Sequence, residues 1–391
     1  MQYRKFGKLD FTVSALGFGA MRLPEKDGKI DEAKATKMLH YAIDNGVNYV
    51  DTAYPYHDGQ SEAFLGKALK GGYREKVKLA TKLPSWMIKS ADDFDEYLNE
   101  QLKRLGQDSV DIYLLHTLNH ENWPKLRDLG VIEWAEKARR EGKFQYLGFS
   151  FHDDGDAFAP IVDAYDWDLC QIQYNFIDIK NQAGMKGLKY AASKGIAMMI
   201  MEPLLGGKLA GPPEPIRDIW DRADQKRSPI DWALRWLWNQ PEVGGVLSGM
   251  SSMAQVEENV ALASAADYDR LSKAEMELYD QVRVKYKDLT AIPCTSCGYC
   301  MPCPQHVDIP GNFGPYNDAV AFDALESMRG HYDWMKYAHE VQHIYENDIR
   351  AASCIQCGEC EEKCPQGIPI SQWMTVIHEV LGEGKPMVKS L

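Results

Sequence analysis

The stretch DEAKATKMLHYAIDNGVNYVDT (31–52) contains one complete helix–strand unit, and it decides the fold because similar units recur along the chain. Asp31 is a candidate N-cap and Gly46 a candidate C-terminal stop for an amphipathic helix. The run VNYVDT that follows is apolar nearly throughout, which is typical of a parallel strand covered by helices. The stretch therefore predicts a helix followed at once by a buried strand.

Seven further apolar runs, separated by helical patterns, lie between residues 14 and 263. They are SALGFG (14–19), KVKLATK (76–82), SVDIYLLH (109–116), FQYLGFS (144–150), LCQIQYNF (169–176), GIAMMIMEP (195–203) and GGVLSG (244–249). Eight strand–helix units over about 250 residues is the count of an α/β fold of the (β/α)8 TIM barrel type. An open doubly wound sheet is the alternative, but the G-x-G-x-x-G fingerprint expected after its first strand is missing. The sequence therefore predicts a TIM barrel.

The composition excludes several classes of partner. The chain carries 57 acidic and 44 basic residues, a net charge of −13, which argues against nucleic acid as the main partner. It contains no run of eighteen apolar residues that would span a membrane. The start, MQYRKFGKLD, lacks the apolar core of a signal peptide. The expected location is therefore cytoplasmic, with neither nucleic acid nor a membrane as partner.

Two cysteine motifs stand near the end of the chain, CTSCGYCMPCPQHVDIP from Cys294 and CIQCGECEEKCPQGIPI from Cys354. The second has the ferredoxin spacing C-x2-C-x2-C-x3-C-P, and the first departs from it by one residue in its last gap. In a reducing compartment, clustered cysteines indicate metal ligands rather than disulfides. The motifs predict iron–sulfur clusters, with two four-cysteine zinc sites as the alternative. The remaining cysteine, Cys170, lies inside a strand run and is expected to be a buried apolar residue.

The ligand sets of the clusters follow from a rule for two-cluster ferredoxins, in which the fourth cysteine of one motif binds the other cluster. The rule predicts two [4Fe–4S] clusters, one held by Cys294, Cys297, Cys300 and Cys364, the other by Cys354, Cys357, Cys360 and Cys303. A single cluster is the alternative, because the first motif is irregular.

Helical patterns between the two motifs predict a small, mainly helical ferredoxin-like domain. The predicted organisation is therefore a barrel over residues 1–268, a connecting helix over 269–290 and an iron–sulfur domain over 291–391. The Gly- and Pro-rich segment 206–227 is long for a strand–helix connection, which predicts a functional loop.

Functional groups of TIM barrels lie where the strands end, on the carboxyl face. Three predicted strand ends carry Asp51, Lys82 and His116, and Tyr54 and Tyr56 follow the first of them. A Lys ammonium beside a phenol is expected to lower the phenol's pKa from about 10, and an Asp to keep the Lys charged. A neutral His would orient a carbonyl group by hydrogen bonding. The set therefore predicts proton transfer to a carbonyl oxygen.

The stretches DTAYPYHDGQSEAFLGKAL, LATKLP and DIYLLHTL resemble the aldo-keto reductase superfamily, in its branch with a C-terminal 4Fe–4S domain. In the family pattern a Tyr follows five residues after the Asp of Asp-Thr-Ala, which selects Tyr56 rather than Tyr54. The resemblance implies a catalytic tetrad of Asp51, Tyr56, Lys82 and His116. It also implies an oxidoreductase that reduces aldehyde or ketone carbonyls, or oxidises the alcohols, with NADPH or NADH.

The resemblance also implies a set of cofactor contacts, since the family binds the nicotinamide cofactor without a Rossmann domain. The matching positions are Ser150 and Gln171 for the carboxamide, Leu204, Gly206 and Gly207 for the pyrophosphate, and Gly249, Ser251, Gln255, Glu258 and Asn259 for the adenosine.

Several positions depart from the family pattern. His57 replaces the usual Gly after the Tyr, and Phe151 replaces the usual Asn after the Ser. Met201 stands where many members have an aromatic residue stacked on the nicotinamide, and a place in the barrel core is the alternative for Met201. The window 248–260 contains neither Arg nor Lys, the residues that hold a 2′-phosphate, which makes NADH an alternative to NADPH. A bound flavin is a further alternative.

Three side chains outside these sets are candidates for the site. Trp86 and Trp123 follow strand ends and are candidates for lining the substrate pocket. His152, close to Ser150, is a candidate for reaching the cofactor, and a position facing the solvent is the alternative.

The cofactor of the barrel and the clusters transfer different numbers of electrons. Nicotinamide transfers two electrons as a hydride, and each cluster transfers a single electron. A flavin, or a ferredoxin or flavoprotein partner, is therefore expected between them. Two hypotheses follow: a carbonyl reductase whose clusters serve a redox partner, or an electron-transfer or redox-sensing protein with a weakly active barrel. In the second, the clusters serve a partner or the structure alone. The presence of all four tetrad residues favours the first.

Overall fold

The computed structural model describes residues 1–265, 271–294, 298–341 and 344–391. Two compact units divide the chain: Met1–Gly206 with Ile230–Leu271, and Gly207–Pro229 with Ser272–Leu391. This division differs from the domain limits predicted at 268 and 290, because 207–229 and the helix that follows 272 group with the C-terminal part. The functional domain limits themselves stay a prediction.

The first unit is built around a closed barrel of parallel strands. In chain order the strands of this unit are β1 (Tyr3–Lys5), β2 (Thr12–Ser14), β3 (Leu16–Gly19), β4 (Glu25–Lys26), β5 (Lys29–Ile30), β6 (Tyr49–Asp51), β7 (Lys78–Leu83), β8 (Val110–Leu118), β9 (Phe144–Phe151), β10 (Leu169–Gln173), β11 (Ala197–Met201) and β12 (Gly245–Gly249). The barrel order is β3-β6-β7-β8-β9-β10-β11-β12, with β12 returning to β3. Each predicted apolar run overlaps one of these eight barrel strands, so the TIM barrel is confirmed.

Helices follow most of the barrel strands, and a second group belongs to the C-terminal part. In chain order they are α1 (Glu32–Asp44), α2 (Gln60–Ala68), α3 (Asp92–Leu105), α4 (Asn122–Asp128), α5 (Val131–Arg140), α6 (Gly155–Asp163), α7 (Gly184–Ser193), α8 (Glu214–Trp220), α9 (Pro229–Trp238), α10 (Met253–Ser264), α11 (Lys273–Asp288), α12 (Ile309–Ala321), α13 (Leu325–Glu340), α14 (Glu359–Glu362) and α15 (Ile370–Ile377).

The helix α1 shows how the local sequence determines these elements. The Asp31 side chain accepts a hydrogen bond from the Lys34 amide, so Asp31 is the N-cap of this helix, as predicted. Apolar side chains three and four residues apart, from Ala35 to Ile43, form its buried face. Beyond the helix Gly46 has a φ of +97°, a conformation that glycine adopts readily.

The antiparallel hairpin of β1 and β2 closes the amino end of the barrel. Phe6, fully buried, lies edge-on to Tyr49 at the start of β6, with ring centroids 6.0 Å apart. Phe11 lies 5.6 Å from Tyr146 near the start of β9. Because this end is filled, polar groups of the barrel are left to gather at the carboxyl ends of the strands.

The second unit is mainly helical, as predicted for the C-terminal part. Its core lies between α12, α13 and α15, where Phe313, Tyr316, Tyr332 and Trp373 are all buried. The described cysteines of the two motifs, apart from Cys357, pack against this core. The predicted functional loop at 206–227 contains α8 and the end of a 3-10 turn at Leu205–Ala210.

Among the described residues, no helix combines the length and the apolar character that a membrane span needs.

Candidate active site

Parallel pairing of three neighbouring strands brings the predicted tetrad together. Asp51 is the last residue of β6 and pairs with Ala80 of β7, and Lys82, two residues farther along β7, pairs with Leu114 of β8. His116 follows two residues later on β8. Tyr56 lies in the turn after β6, where its amide donates to the Ala53 carbonyl at 3.2 Å.

The Lys82 ammonium is the centre of this arrangement. Its Nζ donates to Asp51 Oδ2 at 2.5 Å, to the Thr52 carbonyl at 2.7 Å and to the Tyr56 hydroxyl at 3.3 Å. The Lys82 side chain is 0% exposed and that of Asp51 4%. All three donors of the ammonium therefore have partners away from water. The Thr52 carbonyl was not predicted, because a backbone acceptor leaves no sequence signal.

The pKa values of Lys82 and Tyr56 follow from burial and from their mutual charges. Burial lowers the pKa of Lys82, but the charge of Asp51 and the Tyr56 hydroxyl bring it above its ordinary value, so the ammonium persists. Burial raises the pKa of Tyr56, and this outweighs the lowering effect of Lys82. The prediction of a lowered phenol pKa was therefore wrong: the effect of the Lys charge has the expected sign, but burial is the larger effect.

His116 is held neutral beside the phenol. Its ring centroid lies 6.0 Å from that of Tyr56 and 5.1 Å from that of Trp86. Burial, then the charge of Lys82 and then His152, hold the pKa of His116 well below 6.5. Among the described residues its buried Nδ1 has no hydrogen-bond partner. A neutral imidazole here is suited to donate a hydrogen bond to a carbonyl oxygen.

The two tryptophans predicted to line the pocket, Trp86 and Trp123, differ in exposure and in the rings that they contact. Trp86, which is 45% exposed, lies against His116 at the mouth of the barrel. Trp123 is only 7% exposed, and its ring packs against Trp167 at 5.9 Å, so its main contact is with the barrel wall. The charge of Lys82 contributes to lowering the pKa of His152, and His152 in turn contributes to lowering that of His116, so His152 lies near both side chains; that it reaches the cofactor stays a prediction.

The two residues predicted to hold the carboxamide, Ser150 and Gln171, are both fully buried. Together they present one hydrogen-bond donor and one acceptor. Ser150 Oγ accepts from the Thr117 amide at 2.8 Å, and its own proton makes no hydrogen bond within the described part of the chain. Gln171 Nε2 donates to Asp51 Oδ1 at 2.6 Å, while its buried Oε1 has no partner among described residues. These groups fit a primary amide, which offers one carbonyl and one NH2. The bond from Gln171 to Asp51 was not predicted.

The replaced residues beside these positions have separate contacts. Phe151 is fully buried and packs against Phe158, with ring centroids 4.9 Å apart. Met201 ends β11 and packs against the barrel core. His57 has a φ of +52° and accepts a hydrogen bond from the Leu23 amide at 3.1 Å. It thus holds the loop after β3.

The segment after β11 has unusual backbone conformations at the positions predicted to contact the pyrophosphate. Glu202, Leu205 and Gly206 have φ values of +52°, +48° and +67°. Gly207 has a φ of +99°, and a Cβ there would have no heavy atom within 4 Å. Leu204 is half-buried. Leu205, Gly206 and Gly207 are thus three successive residues in the left-handed region, and they form the turn at which the pyrophosphate contacts are predicted.

The positions predicted to contact the adenosine are divided between surface and interior. Gln255 and Glu258 are exposed at the start of α10, and Gln255 Oε1 accepts from the Ser251 amide at 2.8 Å. Asn259 is only 3% exposed, and its Nδ2 donates to Ser248 Oγ at 3.0 Å. Gly249, the last residue of β12, is exposed.

In the second unit the described cysteines form two groups drawn from both motifs. Cys303 lines one cavity together with Cys354, Cys357 and Cys360. Cys364 lines the other together with Cys294 and Cys300. Cys297 lies outside the described residues. Within the described ranges, no three His, Cys, Asp or Glu side chains are placed to hold one metal ion. Cys170, in contrast, is fully buried in β10, as predicted.

Two family models match the chain: that of the aldo/keto reductase family matches residues 15–283, and that of the 4Fe–4S dicluster domain matches residues 293–368. The chain belongs to the aldo/keto reductase family. It carries a 4Fe–4S dicluster domain after the barrel, and the resemblance found in the sequence is confirmed. As a member of this family the protein is an NAD(P)H-dependent oxidoreductase.

Characterised relatives cover most of the barrel. L-Galactose dehydrogenase of Arabidopsis thaliana is 28% identical over 319 residues, which span 74% of this chain and 97% of that protein. NADH-specific methylglyoxal reductase of Escherichia coli (strain K12) is 26% identical over 303 residues, spanning 65% of this chain and 91% of that enzyme.

Solved structures of the family show the same barrel. The holo form of an aldo-keto reductase from Bacillus halodurans matches with a TM-score of 0.62 and 26% identity over 72% of this chain and 96% of that one. An aldo-keto reductase from Klebsiella pneumoniae in complex with NADPH matches with a TM-score of 0.60 and 23% identity over 72% of this chain and 95% of that one. This similarity supports the fold alone.

The pKa directions in this aldo/keto reductase predict the pH dependence of carbonyl reduction. Tyr56 stays protonated up to about pH 10, because its pKa is raised above 10.0, and His116 stays neutral down to about pH 6.5, because its pKa is lowered. With Tyr56 as the predicted proton donor and His116 as the predicted hydrogen-bond donor, we therefore expect the single-turnover rate constant to be constant between about pH 6.5 and 10 and to fall only outside this range. Stopped-flow single turnovers across this range, corrected for enzyme-free decay of the cofactor, measure it. A fall with an apparent pKa of 7 to 9 would show that the charge of Lys82 lowers the pKa of Tyr56 by more than burial raises it.

Proposed function

We propose that this protein reduces aldehyde or ketone carbonyls with NADPH or NADH, and oxidises the corresponding alcohols in reverse. The observation that carries the proposal is the Lys82 ammonium, which binds Asp51 and the Tyr56 hydroxyl inside the barrel mouth beside a neutral His116. Such a set can supply a proton to a carbonyl oxygen at neutral pH. Small carbonyl compounds are the substrates that membership of the aldo/keto reductase family implies.

In the proposed reaction, Tyr56 donates its hydroxyl proton to the carbonyl oxygen. Lys82, 3.3 Å away, stabilises the phenolate as the proton leaves, and Asp51 keeps Lys82 charged. His116 donates a second hydrogen bond to the same oxygen and so orients the carbonyl group. The reduced nicotinamide, when bound, supplies the hydride to the carbonyl carbon.

Ser150 and Gln171 are proposed to bind the carboxamide of the cofactor, Ser150 as donor and Gln171 as acceptor. Among the described residues the buried Oε1 of Gln171 has no partner, which supports this role. Its Nε2 binds Asp51, so the amide site is linked to the carboxylate that holds Lys82. The remaining proposed contacts are Leu204, Gly206, Gly207, Gly249, Ser251, Gln255, Glu258 and Asn259. The lack of Arg and Lys in 248–260 leaves NADH as a candidate beside NADPH, and one relative is named NADH-specific.

We expect Tyr56→Phe to lower kcat/KM for carbonyl reduction by about 10²- to 10⁴-fold, because the proton donor is lost. Tyr54→Phe is the matched control: its hydroxyl donates to Glu100 at 3.1 Å, so its loss should leave kcat/KM nearly unchanged. Oxidation of NADH and NADPH with methylglyoxal and a panel of aldehydes measures the rate, and cluster absorbance checks integrity. Equal activity of Tyr56→Phe and wild type would contradict the role of Tyr56 as proton donor, whereas a wild type that reduces none of these carbonyls would favour a redox-sensing role with a weakly active barrel.

The cysteines are proposed to hold two [4Fe–4S] clusters, with Cys294, Cys297, Cys300 and Cys364 on one and Cys303, Cys354, Cys357 and Cys360 on the other. The two cavities lined by cysteines from both motifs support this exchange of the fourth ligand.

Two double variants test the exchange. If ligands are exchanged, Cys303→Ser with Cys354→Ser removes ligands from one cluster and should leave about four irons and four sulfides per chain. Cys364→Ser with Cys354→Ser removes a ligand from each cluster and should leave neither intact. The reverse result would show that each motif binds its own cluster. Iron and acid-labile sulfide, measured after anaerobic purification, distinguish these outcomes, and Cys170→Ala is the control that keeps both clusters.

We propose that the clusters exchange single electrons with a partner such as a ferredoxin or a flavoprotein, and not directly with the nicotinamide. A hydride carries two electrons, and a cluster accepts one.

Anaerobic NADH or NADPH, added without substrate, should therefore leave the clusters oxidised, whereas dithionite should bleach their visible absorbance and produce an EPR signal. The matched blank is the same addition of NAD⁺. Bleaching by NADH would contradict the proposal and indicate a bound flavin that splits the hydride.

A further inference from the structure

The loop after β3 holds a cation at the mouth of the barrel. Arg22 lies three residues beyond Gly19, the last residue of β3. Hydrogen bonds fix the backbone on both sides of it: the Ala20 amide donates to the Asp51 carbonyl at 2.8 Å, and the Leu23 amide donates to His57 Nε2 at 3.1 Å. The position of Arg22 is therefore determined by the strand that carries Asp51 and by the turn after Tyr56.

The imidazole of His57 is itself held in place. Since its Nε2 accepts from the Leu23 amide, its Nδ1 carries the proton and donates to Glu25 Oε1 at 2.7 Å. The His57 side chain is 5% exposed. Glu25, the acidic residue nearest to Arg22 along the chain, is thus paired with His57.

The Arg22 side chain lies across the end of β12 and reaches the segment after β11. Its Cβ, Cγ and Cδ are 3.2–3.3 Å from the position that a Cβ of Gly249 would take. One guanidinium nitrogen lies 3.6 Å from the position of a Cβ on Gly206. The aliphatic part of the Arg22 side chain can take this path because Gly249 has no side chain. The guanidinium lies beside Gly206, whose φ is positive.

Arg22 is an exposed residue, and within the described ranges its guanidinium makes neither an ion pair nor a hydrogen bond. In a chain with a net charge of −13, a cation held without a carboxylate partner is available to an anionic ligand. A guanidinium binds phosphate oxygens through two parallel N–H donors, a geometry that a Lys ammonium does not offer.

We propose that Arg22 binds the pyrophosphate of NADH or NADPH, next to the backbone at Gly206. This inference rests on the proposed function, because it assumes that the cofactor follows the segments after β11 and β12. It adds a contact outside the window 248–260, which contains neither Arg nor Lys. Because the pyrophosphate is common to both cofactors, Arg22 strengthens binding without selecting between them.

The test is the dissociation constant of NADH and of NADPH for the full chain with its clusters, by titration calorimetry without substrate. Arg22→Gln should raise both constants by a similar factor of at least about ten, which corresponds to about 1.4 kcal/mol. Arg22→Lys should recover part of the loss. The affinity of Arg22→Gln should also depend less on salt than that of wild type, because a screened charge contact is gone. Lys29→Gln, which removes an exposed charge from β5, is the control and should bind like wild type.

Each other outcome has a distinct meaning. Wild-type affinity of Arg22→Gln for both cofactors, within a factor of two, overturns the role of Arg22 and leaves the proposed function in place. A loss confined to NADPH overturns the pyrophosphate contact and assigns the guanidinium to the 2′-phosphate. A wild-type chain that binds neither cofactor overturns this inference together with the proposed function.

Discussion

The buried ammonium of Lys82 is the interaction on which the rest of the site depends. A charge removed from water is tolerated only when its partners replace the lost hydration, and Lys82 finds three acceptors in Asp51, the Thr52 carbonyl and the Tyr56 hydroxyl. Removing one partner of such a buried pair costs about 3–5 kcal/mol, because the other charge stays buried. The tetrad therefore contributes to the stability of the barrel mouth as well as to its proposed chemistry.

That interaction constrains the surrounding barrel. Parallel pairing of β6 with β7 and of β7 with β8 fixes where Asp51, Lys82 and His116 emerge, and a shift of one residue would turn Lys82 away from Asp51. The hairpin of β1 and β2 fills the opposite end with Phe6 and other apolar side chains. Polar and apolar groups are thus separated along the barrel axis.

Sequence reasoning located the strands and the tetrad because both follow local patterns. Each barrel strand overlaps an apolar run, and Asp51, Lys82 and His116 lie at or near the ends of such runs. The pKa of Tyr56 could not be predicted in the same way, since its direction depends on how deeply the phenol is buried, and burial is a property of the assembled pocket. The contact of Arg22 with Gly249 joins residues far apart in the chain, so no local pattern indicates it.

The exchange of cysteines between the two motifs would couple cluster binding to the folding of the C-terminal unit. In the proposed ligand sets, each cluster joins the segment at 294–303 to the segment at 354–364, and so closes a long loop that contains α12 and α13. Closing such a loop costs chain entropy, which metal ligation can offset because the site is absent from the unfolded chain. The described cysteines other than Cys357 pack against the apolar core of this unit, so ligation and core formation involve the same residues. With these ligand sets a redox role and a structural role of the clusters are therefore compatible, since the bonds that would hold a cluster for electron transfer would also hold α12 and α13 in place.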